Sequence, residues 1–173
     1  MCWRGFKSTG VSFTSWLTLP CAITQTLTAK NAGTGMSFDE ILKNLPALFA
    51  ALLVAVLFIQ SGLDKVFDWK GNLEWLNGHF SKTVLGGMVP MMLATVTLME
   101  IATGFLAAIG IIYFLTTGSL FLIFIASVIG TTSITALFFG QRVAKDYPGA
   151  AVLVPYFLLM IILMYLTSPY TKS

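Results

Sequence analysis

Long hydrocarbon runs broken by short polar segments dominate the chain from about residue 45 onward. A helix needs roughly 20 mostly apolar residues to cross a bilayer. Residues 45–67, "LPALFAALLVAVLFIQSGLDKVF", meet that length, with Pro46 placed in the first turn, where a missing N–H does least harm. The tract from Val84 to Gly140 is too long for one crossing. Gly110 and "TTGS" at 116–119 divide it into predicted spans at about 87–110 and 119–140. The polar stretch "QRVAKDYPG" reads as a solvated loop holding Gln141, Arg142, Lys145 and Asp146, with Pro148-Gly149 as helix stops. A fourth span, about 150–167, carries Pro155 near its start as an expected kink.

The segment 68–82, "DWKGNLEWLNGHFSK", has a different period. Trp69, Leu73, Leu76 and Phe80 fall on one helical face, while Lys70, Glu74 and Asn77 point elsewhere. This pattern predicts an interfacial helix between the first two crossings. A lid over a pocket between helices is the functional alternative. The fold class expected is all-α: an integral membrane four-helix bundle with an interfacial helix between helices one and two.

Residues 1–35 belong to another compositional class, rich in Thr, Ser and Gly. Their weakly apolar stretch, Val11 to Ile23, is interrupted by Pro20 and lacks an A-x-A site, so a signal peptide is a poor description. A disordered or untranslated extension is expected, followed by a membrane domain over 36–170. Ser37-Phe38-Asp39-Glu40 forms a capping box that starts a helix.

Composition confirms the class. Of 173 residues, 57% are hydrophobic and 10% charged, which leaves too little polar side chain to cover a water-facing surface. The lipid bilayer is the first partner. The scattered basic residues, at net charge +3, give no support for nucleic-acid binding. Cys2 and Cys21 form no C-x-x-C pair, which argues against a membrane thiol oxidoreductase. The single histidine, His79, cannot supply both axial ligands of a transmembrane haem b. No metal-ligand cluster is visible, and no self-contained catalytic or redox centre.

Lys65, Lys70, Lys82, Arg142 and Lys145 gather at one end of a four-pass chain. With translation from Met36, only Lys43 and Lys172 oppose them, and the positive-inside rule places the charged loops in the cytoplasm; with residues 1–35 retained, Arg4, Lys7 and Lys30 even the count. Trp69, Trp75 and Tyr147 are expected at one interface, and Tyr113, Tyr165 and Tyr170 at the other.

Candidate chemistry lies in the polar residues within the spans. Glu100 is embedded in "LATVTLMEIATGFLAAIG", roughly 20 Å below the start of its helix at 1.5 Å per residue. A charge at that depth costs about 2.5 kcal/mol or more. The residue must therefore be neutral or face partners. Leu93, Thr97, Thr103, Gly104 and Ala107 share its face, while Thr95, Leu98, Ala102, Phe105 and Ile109 lie opposite. Small residues permit close approach, and threonine hydroxyls could bond the carboxyl. In the first span, Gln60, Ser61, Asp64 and Lys65 collect near the charged-loop end, with Gly62 allowing a neighbour close. These residues predict a polar cluster against Glu100. The depths counted from the helix ends place Lys65 about two turns from Glu100, so no direct contact is expected between them. Ser127 and Thr131, continued by Thr135, form a stripe on the third span, read as helix packing. Gly62, Thr97 and Gly104 are the other packing positions. A role for Glu100 in binding or proton handling and a purely structural hydrogen bond both remain open.

"LFIQSGLDKVFDW" resembles the first-helix motif of DoxX-type membrane proteins through Ser61, Gly62 and Lys65. "MEIATGFLAAIG" resembles the family's second-helix motif through Glu100, Gly104 and Gly110. MauE-like proteins share the layout. The arginine often found near the start of that first helix has no counterpart, Lys43 being the nearest basic residue. The resemblance covers about 36–170. It implies a small four-helix protein of the bacterial inner membrane; some members of the family are subunits of oxidoreductase systems with quinone as acceptor, and many have no established activity. Quinone is accordingly the candidate cofactor, and redox-complex subunits or further copies of the chain the candidate partners. Two other classes stand beside this: a non-catalytic structural or helper subunit, and a small-solute or proton transporter.

Overall fold

The computed structural model describes residues 37–81, 83 and 86–169 as five helices. They are α1 (Phe38–Phe67), α2 (Trp69–Phe80), α3 (Val89–Thr117), α4 (Phe121–Val143) and α5 (Tyr147–Thr167). Residues 1–35, Lys82, Tyr170 and Lys172, for which expectations were stated above, lie outside the described residues.

The long helices reach beyond the apolar runs, because hydrocarbon specifies only the middle of a span. α1 starts at Phe38, with Asp39 and Glu40 in its first turn and Lys65 in its last, each suited to the helix dipole. Pro46 consequently lies inside α1 rather than in its first turn. Gly110 does not end α3. The helix runs two further turns to Gly118, whose φ of 76° closes it in the left-handed conformation. Gly110 is instead a packing residue: a Cβ there would meet the Ile123 backbone nitrogen of α4 at 3.0 Å. Gln141 and Arg142 belong to α4, not to a loop, and the Arg142 guanidinium sits 4.8 Å over the Tyr147 ring. Pro148 does not stop a helix either. It occupies the first turn of α5, where it has no hydrogen bond to lose, and Asp146 caps the end by accepting from Gly149 N at 3.0 Å. The same device opens α2, where Asp68 accepts from Gly71 N at 3.2 Å.

Among the described residues, four helices are long and apolar enough to cross a membrane, and the short α2 lies between the first two. The main packing runs α1 on α3, α3 on α4 and α4 on α5, with a much thinner contact closing α5 onto α1. At the centre, Gly130 of α4 faces Phe58 of α1, Thr103 of α3 and Met160 of α5. The core mixes small and hydroxyl residues with a few large apolar side chains such as Phe58, Phe114 and Met160, while many more large apolar ones face outward. Thr97, Thr103, Ser127 and Ser133 are buried, while Phe49, Leu98, Phe105, Phe121 and Leu158 are exposed. Such exposure on all sides is untenable in water and natural in lipid. The protein is a multi-pass integral membrane protein, with four spans among the described residues.

Candidate functional site

Glu100 occupies the buried face of α3 with a side chain only 4% exposed. The face is the one the helical wheel predicts. Leu93, Thr97, Thr103, Gly104 and Ala107 are buried around it, and Thr95, Leu98, Phe105 and Ile109 are exposed opposite.

Two glycines set what Glu100 meets. A Cβ on Gly104 would lie 2.7 Å from the Ile59 backbone nitrogen, and one on Gly62 would lie 3.3 Å from that of Ile101. These pairings run α1 antiparallel to α3, with residue 63 about level with Glu100. Lys65 is therefore only about two residues, or roughly 3 Å along the axis, from Glu100. Its ammonium reaches the carboxylate: Lys65 Nζ lies 2.8 Å from Glu100 Oε2. Lys65 Nζ also donates to Ser61 Oγ at 2.8 Å and Ser61 O at 3.3 Å.

The expected separation of two turns is thus incorrect. The error came from aligning helix ends. α3 begins at Val89, about level with residue 74, so its first turns extend beyond the end of α1, and α2 packs on that extension. The charged end of α1 is sunk below the end of α3 by about 10 Å as a result. The Lys65–Glu100 approach is an ion-pair contact rather than an aligned hydrogen bond, since Glu100 Oε2 is buried and accepts none of good geometry.

Other cluster members are placed differently. Gln60 and Asp64 are exposed on α1 and reach the carboxylate's surroundings only as walls of a cavity. The threonines do not bond the carboxyl. Thr97 Oγ1 donates to Leu93 O at 2.7 Å and Thr103 Oγ1 to Met99 O at 2.7 Å, the usual back-bond of a helical threonine. Ser127 and Thr131 do likewise, to Phe124 O and Ser127 O, and lie buried and half-buried on α4. Gly62 and Gly104 are the close-approach points of α1 and α3.

Two cavities flank the ion pair. One, of about 460 Å³, opens where α5 fails to close on α1; Ser61, Gln60, Asp64 and Glu100 form its polar end, and Leu53, Ile134, Leu153 and Tyr156 its apolar walls. The other, of about 370 Å³, lies beneath α2 and reaches Lys65 from the opposite side. Sequence reasoning anticipated a polar pocket at Glu100 and, as an alternative, one beneath residues 68–82, but not that the two lie on opposite sides of the ion pair. Nor did it find the link from α2 to the α4–α5 turn, in which His79 Nε2 lies 3.8 Å from Asp146 Oδ2 and the imidazole stacks on Trp75. Among the described residues, no three His, Cys, Asp or Glu side chains converge as metal ligands would.

No family model matches the chain, and neither a curated protein nor a solved structure does.

Proposed function

We propose that the chain is a DoxX-like subunit of an oxidoreductase system in the bacterial inner membrane, holding the headgroup of a quinone in the cavity between α1 and α5. One observation carries the reading: an open, largely apolar cleft ends at the Glu100 carboxylate, the Ser61 hydroxyl and the Gln60 amide, with Lys65 paired to Glu100 behind them. Ligand sites are commonly apolar with a few convergent polar groups at one end. A quinone headgroup has two carbonyl acceptors, and the Ser61 hydroxyl and the Gln60 amide supply donors at that end of the cleft. Glu100 could exchange a proton with the hydroquinone oxygen. Electrons would come from a partner subunit. The motif residues Ser61, Gly62 and Lys65, with Glu100, Gly104 and Gly110, favour the same assignment.

The test is titration of a short-chain ubiquinone into the protein in lipid nanodiscs, against empty nanodiscs. Saturable binding is expected, weakened at least about tenfold by Leu153→Trp, which fills the cleft, and by Ser61→Ala, which removes a donor. No saturable binding, together with no quinone extracted from protein purified out of native membranes, overturns the proposal.

A second reading has its own support. The charges of Lys65 and Glu100 neutralise each other directly, which suits a helper subunit whose polar pair only fixes the register of α1 on α3. The double variant Lys65→Met/Glu100→Leu separates the two. It keeps the activity of the host complex if the pair is structural, and loses it if the pair holds a headgroup.

A further inference from the structure

The cavity beneath α2 has a chemistry unlike that of the Glu100 cleft. Its volume of about 370 Å³ falls within the range of about 300–1,000 Å³ usual for small-molecule sites. α2 forms the roof with Trp75 and Phe80, and α3 the floor with Met91 and Met92. Aromatic rings and thioethers together favour an aromatic guest, because sulfur packs well against ring edges. Gln141 lines the same cavity, and its buried Oε1 accepts no hydrogen bond. A carbonyl oxygen held so asks the guest for an O–H or N–H. Among the described residues the lining contains no carboxylate, and its one charge, Lys65, is neutralised by Glu100. A charged guest would lose its hydration with no counter-charge in return. Trp75 and Met91, 57% and 59% exposed, stand at the rim, so entry is lateral, at the level of α2.

We infer that this cavity binds an uncharged, lipid-soluble aromatic alcohol, with its hydroxyl donated to Gln141 Oε1 and its ring between Trp75 and the two methionines. The site is separate from the Glu100 cleft. The ion pair and Leu137 stand between them, Leu137 lining both. The inference does not rest on the quinone reading.

The probe is 2-naphthol, titrated into the full chain in nanodiscs with empty nanodiscs as reference, beside its methyl ether, which has the same ring and no donor. Saturable binding of one 2-naphthol per chain is expected, with the ether at least about tenfold weaker. Gln141→Leu should erase the difference between the two probes. Gly140→Leu should abolish binding of both. A Cβ at Gly140 has room, the nearest atom being Phe80 Cζ at 3.6 Å, so the added branches enter the cavity. Ala136→Phe fills it from another wall and guards against a displaced α2 in the glycine variant. Leu153→Trp, in the other cavity, should leave 2-naphthol binding unchanged. Partition no greater than into empty nanodiscs overturns the proposal. So does binding that survives both filling variants, or equal affinity for the ether in the wild-type protein.

Discussion

Lys65 lies between Asp64 and Val66 near the end of α1, and its side chain is 21% exposed. A lysine at a span end ordinarily snorkels to the headgroups. This one turns inward, because Glu100 is 2.8 Å away and Ser61 fills the remaining donor positions. A pair of this kind adds little net stability, yet removing one partner is costly, since the other charge is then buried alone. Lys65→Met should lower stability by about 3 kcal/mol, and adding Glu100→Leu should recover most of the loss. Thermal unfolding in detergent, arranged as a double-mutant cycle, measures both. Lys145 offers a contrasting case. Its φ of 61° puts a residue with a Cβ in the left-handed region, so Lys145→Gly should raise stability by about 1 kcal/mol in the same assay. That Glu100 faces inward was legible in the sequence, because a carboxylate in hydrocarbon has few other tolerable positions and small residues crowd its side of the wheel. Its partner was not legible. Which residue of α1 lies level with it depends on how far one helix slides along the other, and that offset is set by the close approaches at Gly62 and Gly104, which no depth counted from helix ends reveals.

Glycines decide how closely the long helices approach, and their costs differ in a way the geometry ranks. At Gly104 an added Cβ meets both the Ile59 backbone nitrogen, at 2.7 Å, and Ile59 Cγ1, at 2.6 Å. At Gly62 the nearest atom is the side-chain Ile101 Cγ1, at 2.7 Å, with the backbone at 3.3 Å. A side chain can turn away, whereas a backbone must move the whole helix. Gly104→Ala should therefore destabilise more than Gly62→Ala, by at least about 1 kcal/mol, with Gly104→Leu failing to yield folded protein. Gly78 of α2 meets nothing within 4 Å, so Gly78→Ala should instead stabilise that helix by up to about 1 kcal/mol. Yield of monodisperse protein and its unfolding temperature give the order. The number and type of helices follow from the hydropathy pattern, while their ends do not. Gly110 and Pro148 look like punctuation in the sequence. The same residue types also serve where a neighbouring helix comes close and where a first turn has no hydrogen bond to lose. Only tertiary placement distinguishes the uses.

At the scale of the molecule, the four-pass architecture was readable because the bilayer demands long apolar helices with internally satisfied backbones. The gap between α1 and α5 was not. α5 is apolar on every side, and no polar stripe in its sequence says which neighbour it favours. The asymmetry of charge is the other global feature. Lys65, Lys70, Arg142 and Lys145 belong to the end that carries α2 and the α4–α5 turn, while Thr116 marks the turn at the far end. The positive-inside rule predicts that the charged end faces the cytoplasm. In a Cys2→Ser/Cys21→Ser background, Thr116→Cys should react with a membrane-impermeant thiol reagent in intact cells. Asn77→Cys should react only after permeabilisation. The reverse pattern would invert the topology.

The sunken position of the α1 terminus bears on biogenesis. A nascent chain that has delivered α1 to the insertion machinery, but not yet residue 100, holds an ammonium that the finished protein seats some way below the end of α3. Until its counter-charge emerges from the ribosome, the first span should ride higher toward the cytoplasm and settle only as a hairpin with the second. Arrested chains released just before and just after Glu100 should then differ in how deeply Leu63 is shielded from water, which makes insertion a step completed by pairs of helices.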